Sequence, residues 1–336
     1  NIPKTVVICT DIFDEFMDTN ELYQIALSDI PDEEILRAFL QARLPERLIG
    51  DLEAYLDVVR QPIAIRSSSL LEDAHYQPFA GIYSTYMIPY VESRDVRLKM
   101  LRDAIKGVYA SVFYRDSKAY MTATSNVIDQ EKMAVILQEV AGNRYGDRFY
   151  PNISGVARSV NYYPIGDEQA EDGTVNLALG LGKYIVDGGM NLRVCPAHPD
   201  KGFNLLKLPV KEAEQDGSLQ FIASTYDPYD MVIRDGIYDG GRKLVTFCGV
   251  LQQGVFPLPE LLRLILKLGR ESMRREVEIE FAVKLNPDRT GVFYLLQIRP
   301  MVDNKMMLDE DLTEIPDEKT LIRSHNAIGQ GVSNEV

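Results

Sequence analysis

The sequence predicts an α+β protein with a mainly helical first part and a second part that consists mainly of strands. Apolar residues recur with helical spacing over 32–58 and 94–121, whereas apolar runs typical of strands dominate beyond residue 133. A chain of 336 residues is also too long for one small hydrophobic core and suits two subdomains or one large α+β unit. We therefore predict two subdomains, residues 1–128 and 129–302, followed by an acidic linker over residues 303–336.

Local patterns predict the elements of the first subdomain. The apolar run 4–10 predicts a short buried strand, and Pro45 interrupts the helical spacing of 32–58, which predicts two helices. Residues 61–66 predict a strand, and a loop follows over 70–81. Residues 94–121 predict one long helix, whose apolar face comprises Val96, Met100, Leu101, Ile105, Val108, Val112 and Phe113.

Strand patterns dominate the second subdomain. Residues 133–140 (MAVILQEV) form a continuous apolar run that ends in polar residues, as a central strand does where it leaves the core. Residues 258–273 predict a helix that packs through Leu262, Ile265, Leu266 and Gly269. The alternating segments 277–284 and 292–299 flank NPDRTG, which is typical of a hairpin turn. Further strands are predicted at 153–160, 175–181 and 243–250.

The distribution of charge restricts the classes of ligand. The formal net charge is −14, which argues against a protein that coats nucleic acid, because phosphate backbones need clustered Lys and Arg. Residues 1–60 hold 13 acidic against 5 basic residues, and residues 303–336 hold 8 against 3. Residues 61–302 are nearly neutral, with 29 against 28. A small phosphate ligand therefore remains compatible with this middle part.

Cysteine and histidine patterns exclude several other classes. The cysteines, Cys9, Cys195 and Cys248, include no CxxC pair, which argues against a disulfide scaffold or a Cys-ligated zinc site. The three histidines do not occur in a known catalytic spacing. No apolar run approaches the roughly 20 residues that span a bilayer. We therefore expect a cytoplasmic protein with no membrane or nucleic-acid partner.

The hairpin over 277–299 carries the most informative polar pattern. Simple alternation places Phe293, Leu295, Gln297 and Arg299 on one face of the return strand. Antiparallel partners that sum to roughly 576 place Glu280 beside Leu296 or Gln297. A carboxylate and an amide oxygen suit a Mg²⁺ ion that binds substrate phosphates, and an arginine supplies a planar fork for phosphate oxygens. The alternative is a solvated hairpin face with a cross-strand ion pair.

Three further segments are candidates for nucleotide contacts. Arg66 ends a strand and precedes three serines, which predicts a phosphate grip or an ordinary polar loop in which Arg66 pairs with Glu72 or Asp73. The glycines of LALGLGKYIVDGG (177–189) contain a GxG, which fits phosphate binding or tight packing. Residues 138–140, at the end of a strand, can present backbone groups to an adenine.

Five segments follow one another along the chain: RSSSLLED…FAG, LQEV, SGVARS, GLGK..VDGG and EIEF…LLQIRPM. Together they resemble the N-terminal ATP-binding domain of the pyruvate phosphate dikinase and phosphoenolpyruvate synthase family. The resemblance runs from residue 2 to about residue 302. It implies an ATP-grasp fold, in which two α+β subdomains clamp MgATP between them. It also implies transfer of a phosphoryl group from ATP to a histidine on a swivelling domain, and from there to pyruvate or another acceptor.

The resemblance implies roles for individual residues. Arg66 and Arg299 contact the ATP phosphates, and Glu280 and Gln297 hold Mg²⁺. Gln138, Glu139 and Val140 form the hinge against adenine. Lys183 occupies the position of the ribose contact, where the family usually has a glutamate. Asp116 occupies a position where the family usually has an arginine, and we expect Arg115 or Lys118 to replace that arginine.

The resemblance also leaves alternatives open. The chain begins after the position of the family's Gly-Gly-Lys motif and lacks its TSH-type carrier-histidine loop, so we expect a piece of a larger phosphotransferase that is inactive alone. Its expected partners are ATP and the phosphohistidine and acceptor-binding domains, and a homodimer is left open. The main alternative is a nucleotide-sensing domain that transfers no phosphate. Another is a dikinase that acts on a glucan or an antibiotic.

Overall fold

The computed structural model of the chain contains helices and strands in both parts, which confirms the α+β class. It describes residues 1–70, 72, 82–123, 131–182, 185, 189, 191–199, 213 and 217–301. The predicted boundary at residue 128, the linker 303–336 and most of the predicted loop 70–81 lie outside these residues.

The first part consists of helices packed on a four-stranded antiparallel sheet. The strands are β1 (Thr5–Ile8), β2 (Ile63–Ser68), β3 (Tyr86–Ile88) and β4 (Ala134–Glu139), in the order β1-β4-β2-β3. The helices are α1 (Thr10–Thr19), α2 (Tyr23–Ala26), α3 (Asp32–Gln41), α4 (Glu46–Val58), α5 (Arg94–Ser111) and α6 (Arg115–Ala123). Pro45 lies at the N-cap of α4, so the predicted interruption of 32–58 is confirmed.

Aromatic side chains form the centre of the first core. Helix α1 places Phe13 and Phe16 on its buried stripe, where both contact Tyr109 of α5 with ring centroids 5.1 and 5.4 Å apart. Phe39 of α3 lies against Phe113 at 5.9 Å. All five side chains are fully buried. The buried cluster to which they belong extends from Ile8 to Leu137 and binds the helices to the sheet.

Two predictions for the first part are wrong in detail. The strand predicted for 4–10 ends at Ile8 and is not buried, because β1 is an edge strand with Val6 and Val7 exposed. The single helix predicted for 94–121 is two helices. The amides of Val112 and Phe113 donate to carbonyls three residues back, and this tighter turn ends α5 and directs Phe113 into the core. Val96, assigned to the apolar face, is half-exposed.

The second part contains a five-stranded antiparallel sheet in the order β14-β13-β7-β8-β9, a three-stranded sheet in the order β11-β10-β12, and the hairpin β5-β6. The strands are β5 (Asn143–Tyr145), β6 (Arg148–Tyr150), β7 (Ile153–Arg158), β8 (Thr174–Ala178), β9 (Leu192–Val194), β10 (Ala223–Asp227), β11 (Val232–Asp235), β12 (Arg242–Val245), β13 (Val277–Leu285) and β14 (Gly291–Pro300). Among the described residues of this part, the α-helices are α7 (Cys248–Leu251) and α8 (Leu258–Met273).

Helix α8 covers the apolar face of the five-stranded sheet and has the predicted bounds. Its Leu262 and Leu266 are buried, and Gly269 lies so close to the sheet that a Cβ atom would be 2.9 Å from Ile298. The prediction of a strand over 243–250 is wrong beyond Val245. Phe247 adopts a left-handed conformation with φ of 54°, after which α7 begins. The buried cluster around α8 extends from Ile153 to Phe293.

Candidate functional site

A cavity of about 660 Å³ is lined by strands of both large sheets. Strands β2 and β4 contribute from the four-stranded sheet, and β7, β13 and β14 contribute from the five-stranded sheet. Lys183 lies outside the described residues. Seven residues to which the sequence assigns phosphate, metal or adenine contacts line the cavity: Arg66, Gln138, Glu139, Val140, Glu280, Gln297 and Arg299.

A β-bulge in β14 determines which side chains of the hairpin face the cavity. The partners Glu280 and Gln297 sum to 577, whereas the next pair, Phe281 and Leu295, sums to 576. Leu296 is therefore the extra residue of the bulge. Of the two partners predicted for Glu280, Leu296 and Gln297, the structure shows Gln297. The predicted common face is wrong, because Leu295 is opposite apolar Phe281 while Gln297 is opposite polar Glu280.

A row of charged side chains crosses three strands at one end of the hairpin. Glu278 of β13 is directly opposite Arg299 of β14 on one side and Arg158 of β7 on the other. Arg299 Nε donates to Glu278 Oε1 at 2.9 Å, and Arg158 Nε donates to Oε2 at 2.7 Å. Glu278 is only 7% exposed. One buried carboxylate therefore holds two guanidinium groups at the wall of the cavity.

The two arginines also determine the ionisation of Glu278. Burial by itself would raise its pKa, but the charges and hydrogen bonds of Arg299 and Arg158 outweigh burial and hold the pKa below its ordinary value. Glu278 is therefore a carboxylate at neutral pH. Removal of both arginines would leave an unpaired buried charge, which is strongly destabilising.

The next row on the same face contains Glu280 and Gln297, and Arg66 reaches it from the other sheet. Arg66 Nη2 donates to Glu280 Oε2 at 2.7 Å and to Gln297 Oε1 at 2.8 Å. The side chains of Arg66 and Glu280 are 23% and 21% exposed. Of the two pairings considered for Arg66, the one with Glu72 is not formed, and Asp73 lies outside the described residues. A single positively charged nitrogen thus lies between the two oxygens.

Glu72 instead organises the serines that follow Arg66. Its carboxylate accepts hydrogen bonds from Ser67 Oγ at 2.7 Å and from the Ser69 amide at 3.1 Å. These contacts fix the backbone where β2 ends at the cavity. Of the three serines, Ser67 and Ser68 line the cavity, and the Ser67 hydroxyl already donates to a carboxylate.

The predicted adenine hinge at the end of β4 makes contacts within the protein. Gln138 Nε2 donates to the carbonyl of Leu296 in the bulge at 3.0 Å, which links the two large sheets. The amides of Glu139 and Val140 donate to the carbonyls of Lys4 and Pro62 at 2.9 and 2.8 Å. A base at this end of the cavity would therefore meet side chains and carbonyl groups rather than these two amides.

Some residues considered in the sequence have other positions. Neither Arg115 nor Lys118 lines the cavity; Lys118 Nζ donates to the carbonyl of Ser28 at 2.8 Å. Gly180 has φ of +84° and its carbonyl accepts from Ser154 Oγ, so it serves a tight turn, while Gly182 lines the cavity. No role was assigned to Glu278 or Arg158 from the sequence. The one sequence feature that could have indicated them is a charged residue within an otherwise apolar strand.

Comparisons with known proteins identify a family and two relatives. Residues 1–319 match the family model described as the pyruvate phosphate dikinase AMP/ATP-binding domain. Over 300 residues, or 89% of the chain, it is 24% identical to an uncharacterized phosphotransferase, YvkC, of Bacillus subtilis. Over 281 residues, or 78% of the chain, it is 24% identical to a phosphoenolpyruvate synthase of Aeropyrum pernix. Each alignment spans 31% of the length of the relative. In the described part of the chain, no helix meets the length and apolarity needed to cross a membrane.

Proposed function

The chain belongs to the pyruvate phosphate dikinase AMP/ATP-binding domain family, and from this we propose that its cavity binds MgATP for phosphoryl transfer to a histidine elsewhere in a longer protein. One observation carries the proposal: a carboxylate, an amide oxygen and two arginines from two sheets converge on one cavity. We take the fold to be an ATP-grasp, in which two subdomains close on the nucleotide. The boundary predicted at residue 128 is moved past β4, because β4 pairs with β1 and β2 of the first sheet.

The donor set at Glu280 and Gln297 fits a magnesium ion. Mg²⁺ prefers oxygen ligands and is usually held by one or two protein groups together with water and substrate phosphates. The two side-chain oxygens lie within 2.7 and 2.8 Å of Arg66 Nη2, so the position already accepts a cation. When bound there, the metal would neutralise charge on the phosphates. Glu280 and Gln297 would be its protein ligands.

The remaining site residues position and neutralise the phosphates. Arg66 and Arg299 reach the cavity from opposite sheets and supply forked donors to phosphate oxygens. Gln138, Glu139 and Val140 bind the base at the other end, and Lys183 is assigned to the ribose. Phosphoryl transfer requires mainly positioning and charge stabilisation, which these residue types provide.

The acceptors lie outside this chain. The chain spans about a third of the length of the two relatives, so a carrier histidine and a pyruvate or other acceptor domain are proposed for the longer protein. In that protein, ATP labelled in its phosphates is expected to label a histidine in an acid-labile linkage. Nucleotide binding without such labelling would instead favour the sensing function.

Isothermal titration calorimetry with MgATP tests the binding site. Glu280→Ala is expected to weaken binding by at least about tenfold, because a charged metal ligand is lost. Binding of AMP without metal should change much less. Glu260→Ala, an exposed glutamate on α8, serves as the matched control. Equal MgATP affinity in wild type and Glu280→Ala would contradict the metal assignment.

A further inference from the structure

We propose that Arg158 is a further phosphate-binding residue of the cavity, and that Glu278 is the positioning residue that fixes Arg158 and Arg299 as a pair toward the nucleotide's β- and γ-phosphates. This inference rests on the proposed function and extends it to residues outside the roles assigned so far. It begins from the cross-strand row Arg158–Glu278–Arg299.

The contacts of Arg158 leave donors available for a ligand. Its Nε atom donates to Glu278 Oε2, and among the described residues neither Nη1 nor Nη2 makes a hydrogen bond. The side chain is 42% exposed and lines the cavity. A guanidinium group held by Nε alone keeps its two terminal NH₂ groups for a second acceptor, and a phosphate group is the acceptor whose oxygens match them.

Charge compensation of Glu278 does not require two arginines. Arg299 contacts Oε1 of this carboxylate through Nε and Nη2, which already gives a one-to-one ion pair. Arg158 adds a second positive charge at the other oxygen. The row therefore carries one net positive charge at the cavity wall. Such an excess suits an anionic ligand.

The positive charge of Arg158 affects the charge balance of the whole cavity. Its described lining contains three arginines against four glutamates, namely Arg66, Arg158, Arg299, Glu72, Glu139, Glu278 and Glu280. A polyphosphate with several negative charges meets repulsion from the glutamates, even when a metal accompanies it. Arg158 is one of only three arginines in the described lining that oppose this repulsion.

Geometry also explains the role of Glu278. Arg158 and Arg299 lie on β7 and β14, which do not pair with each other but both pair with β13. The carboxylate between them uses one oxygen for each arginine. Because the cross-strand register fixes all three residues, the two guanidinium groups keep a constant spacing and lose little freedom when a phosphate binds.

Calorimetric titration of the full 336-residue chain with MgATP and with AMP tests the proposal. Arg158→Gln is expected to weaken MgATP binding by about tenfold or more, because a charge-assisted hydrogen bond to phosphate is lost. AMP affinity should change by less than about twofold. Arg158→Lys should recover part of the affinity, since it restores the charge but not the fork. Glu278→Gln should weaken MgATP binding in the same direction.

Arg193→Gln is the matched control. Arg193 is also in the five-stranded sheet and also pairs with a buried glutamate, Glu168, but it does not line the cavity. This variant should bind MgATP like the wild type. If Arg158→Gln binds MgATP like the wild type and only its thermal midpoint falls, Arg158 is a counter-ion and the inference is wrong. Equal losses for MgATP and AMP would also overturn it. A wild-type chain that fails to bind MgATP would instead refute the proposed function itself.

Discussion

The contact of Arg66 with Glu280 and Gln297 predicts competition between an arginine and a metal ion. Mg²⁺ binds oxygens at about 2.1 Å, so an ion held by both side chains cannot share the position of Arg66 Nη2. The arginine must move before a metal enters, and the phosphates of the nucleotide offer it a new partner. Without nucleotide, metal binding must therefore break both hydrogen bonds.

The size of this effect follows from the environment of the pair. Hydrogen bonds to charged groups contribute about 1.5–3 kcal/mol. Because the side chains of Arg66 and Glu280 are 23% and 21% exposed, solvent screens the interaction, and we take about 1.5 kcal/mol for the two hydrogen bonds together. About 1.5 kcal/mol corresponds to about a tenfold change in Kd. Arg66→Met should therefore bind Mn²⁺ about tenfold more tightly than wild type in the absence of nucleotide.

Electron paramagnetic resonance of free Mn²⁺ measures this affinity directly. The same Arg66→Met chain should bind MgATP more weakly, so the two ligands respond in opposite directions. Arg193→Met is the control, because Arg193 pairs with Glu168 and does not line the cavity. Glu280→Gln should remove the gain. Unchanged Mn²⁺ affinity in Arg66→Met would refute the reasoning.

Further predictions concern stability and the bulge. The pKa of Glu278 is depressed below 4.5 in the folded chain, so its stabilising contribution is present above pH 4.5 and is lost as the pH falls through the lower folded value. Urea unfolding from pH 7 to pH 3 should accordingly be less pH-dependent in Glu278→Gln, and equal slopes would contradict this. Phe13→Ala removes a fully buried ring and should lower the free energy of unfolding by about 3–5 kcal/mol in urea titrations, whereas a loss below about 1 kcal/mol would argue against the packing of α1. Deletion of Leu296 should leave Leu295 opposite Phe281 and Gln297 opposite Glu280 but remove the carbonyl that accepts from Gln138, so the free energy of unfolding should fall by about 0.5–1.5 kcal/mol in urea titrations; unchanged stability would show that this contact between the sheets contributes nothing.

Much of the fold could be predicted from periodicity because burial repeats within single elements. Helix α8 has the predicted bounds, since its stripe of leucines faces one sheet throughout. Predictions from periodicity were wrong where tertiary packing, rather than the local sequence, determines the end of an element. Nothing between residues 94 and 121 marks the tighter turn at Val112, which brings Phe113 into a core built by α1 and α3.

Prediction of the site from the sequence was limited in the same way, because contacts between distant residues determine it. Types of residue could be predicted: a carboxylate, an amide and arginines near strand ends. Their partners could not, because Arg66 meets Glu280 across 214 residues of sequence. Pairing of Arg66 with Glu72 was the nearer alternative in sequence, yet Glu72 is used by the serine loop.

The bulge at Leu296 explains why sequence alternation could not assign the faces of the hairpin. Alternation is a rule for each strand separately, and it placed Phe293 on the same face as Arg299. The extra residue shifts the register between Glu280 and Phe281, so the odd-numbered residues of β14 face the core before the bulge and the cavity after it. The freed carbonyl of Leu296 accepts from Gln138 of the other sheet. The same residue therefore reverses the alternation along β14 and joins the two sheets that line the cavity.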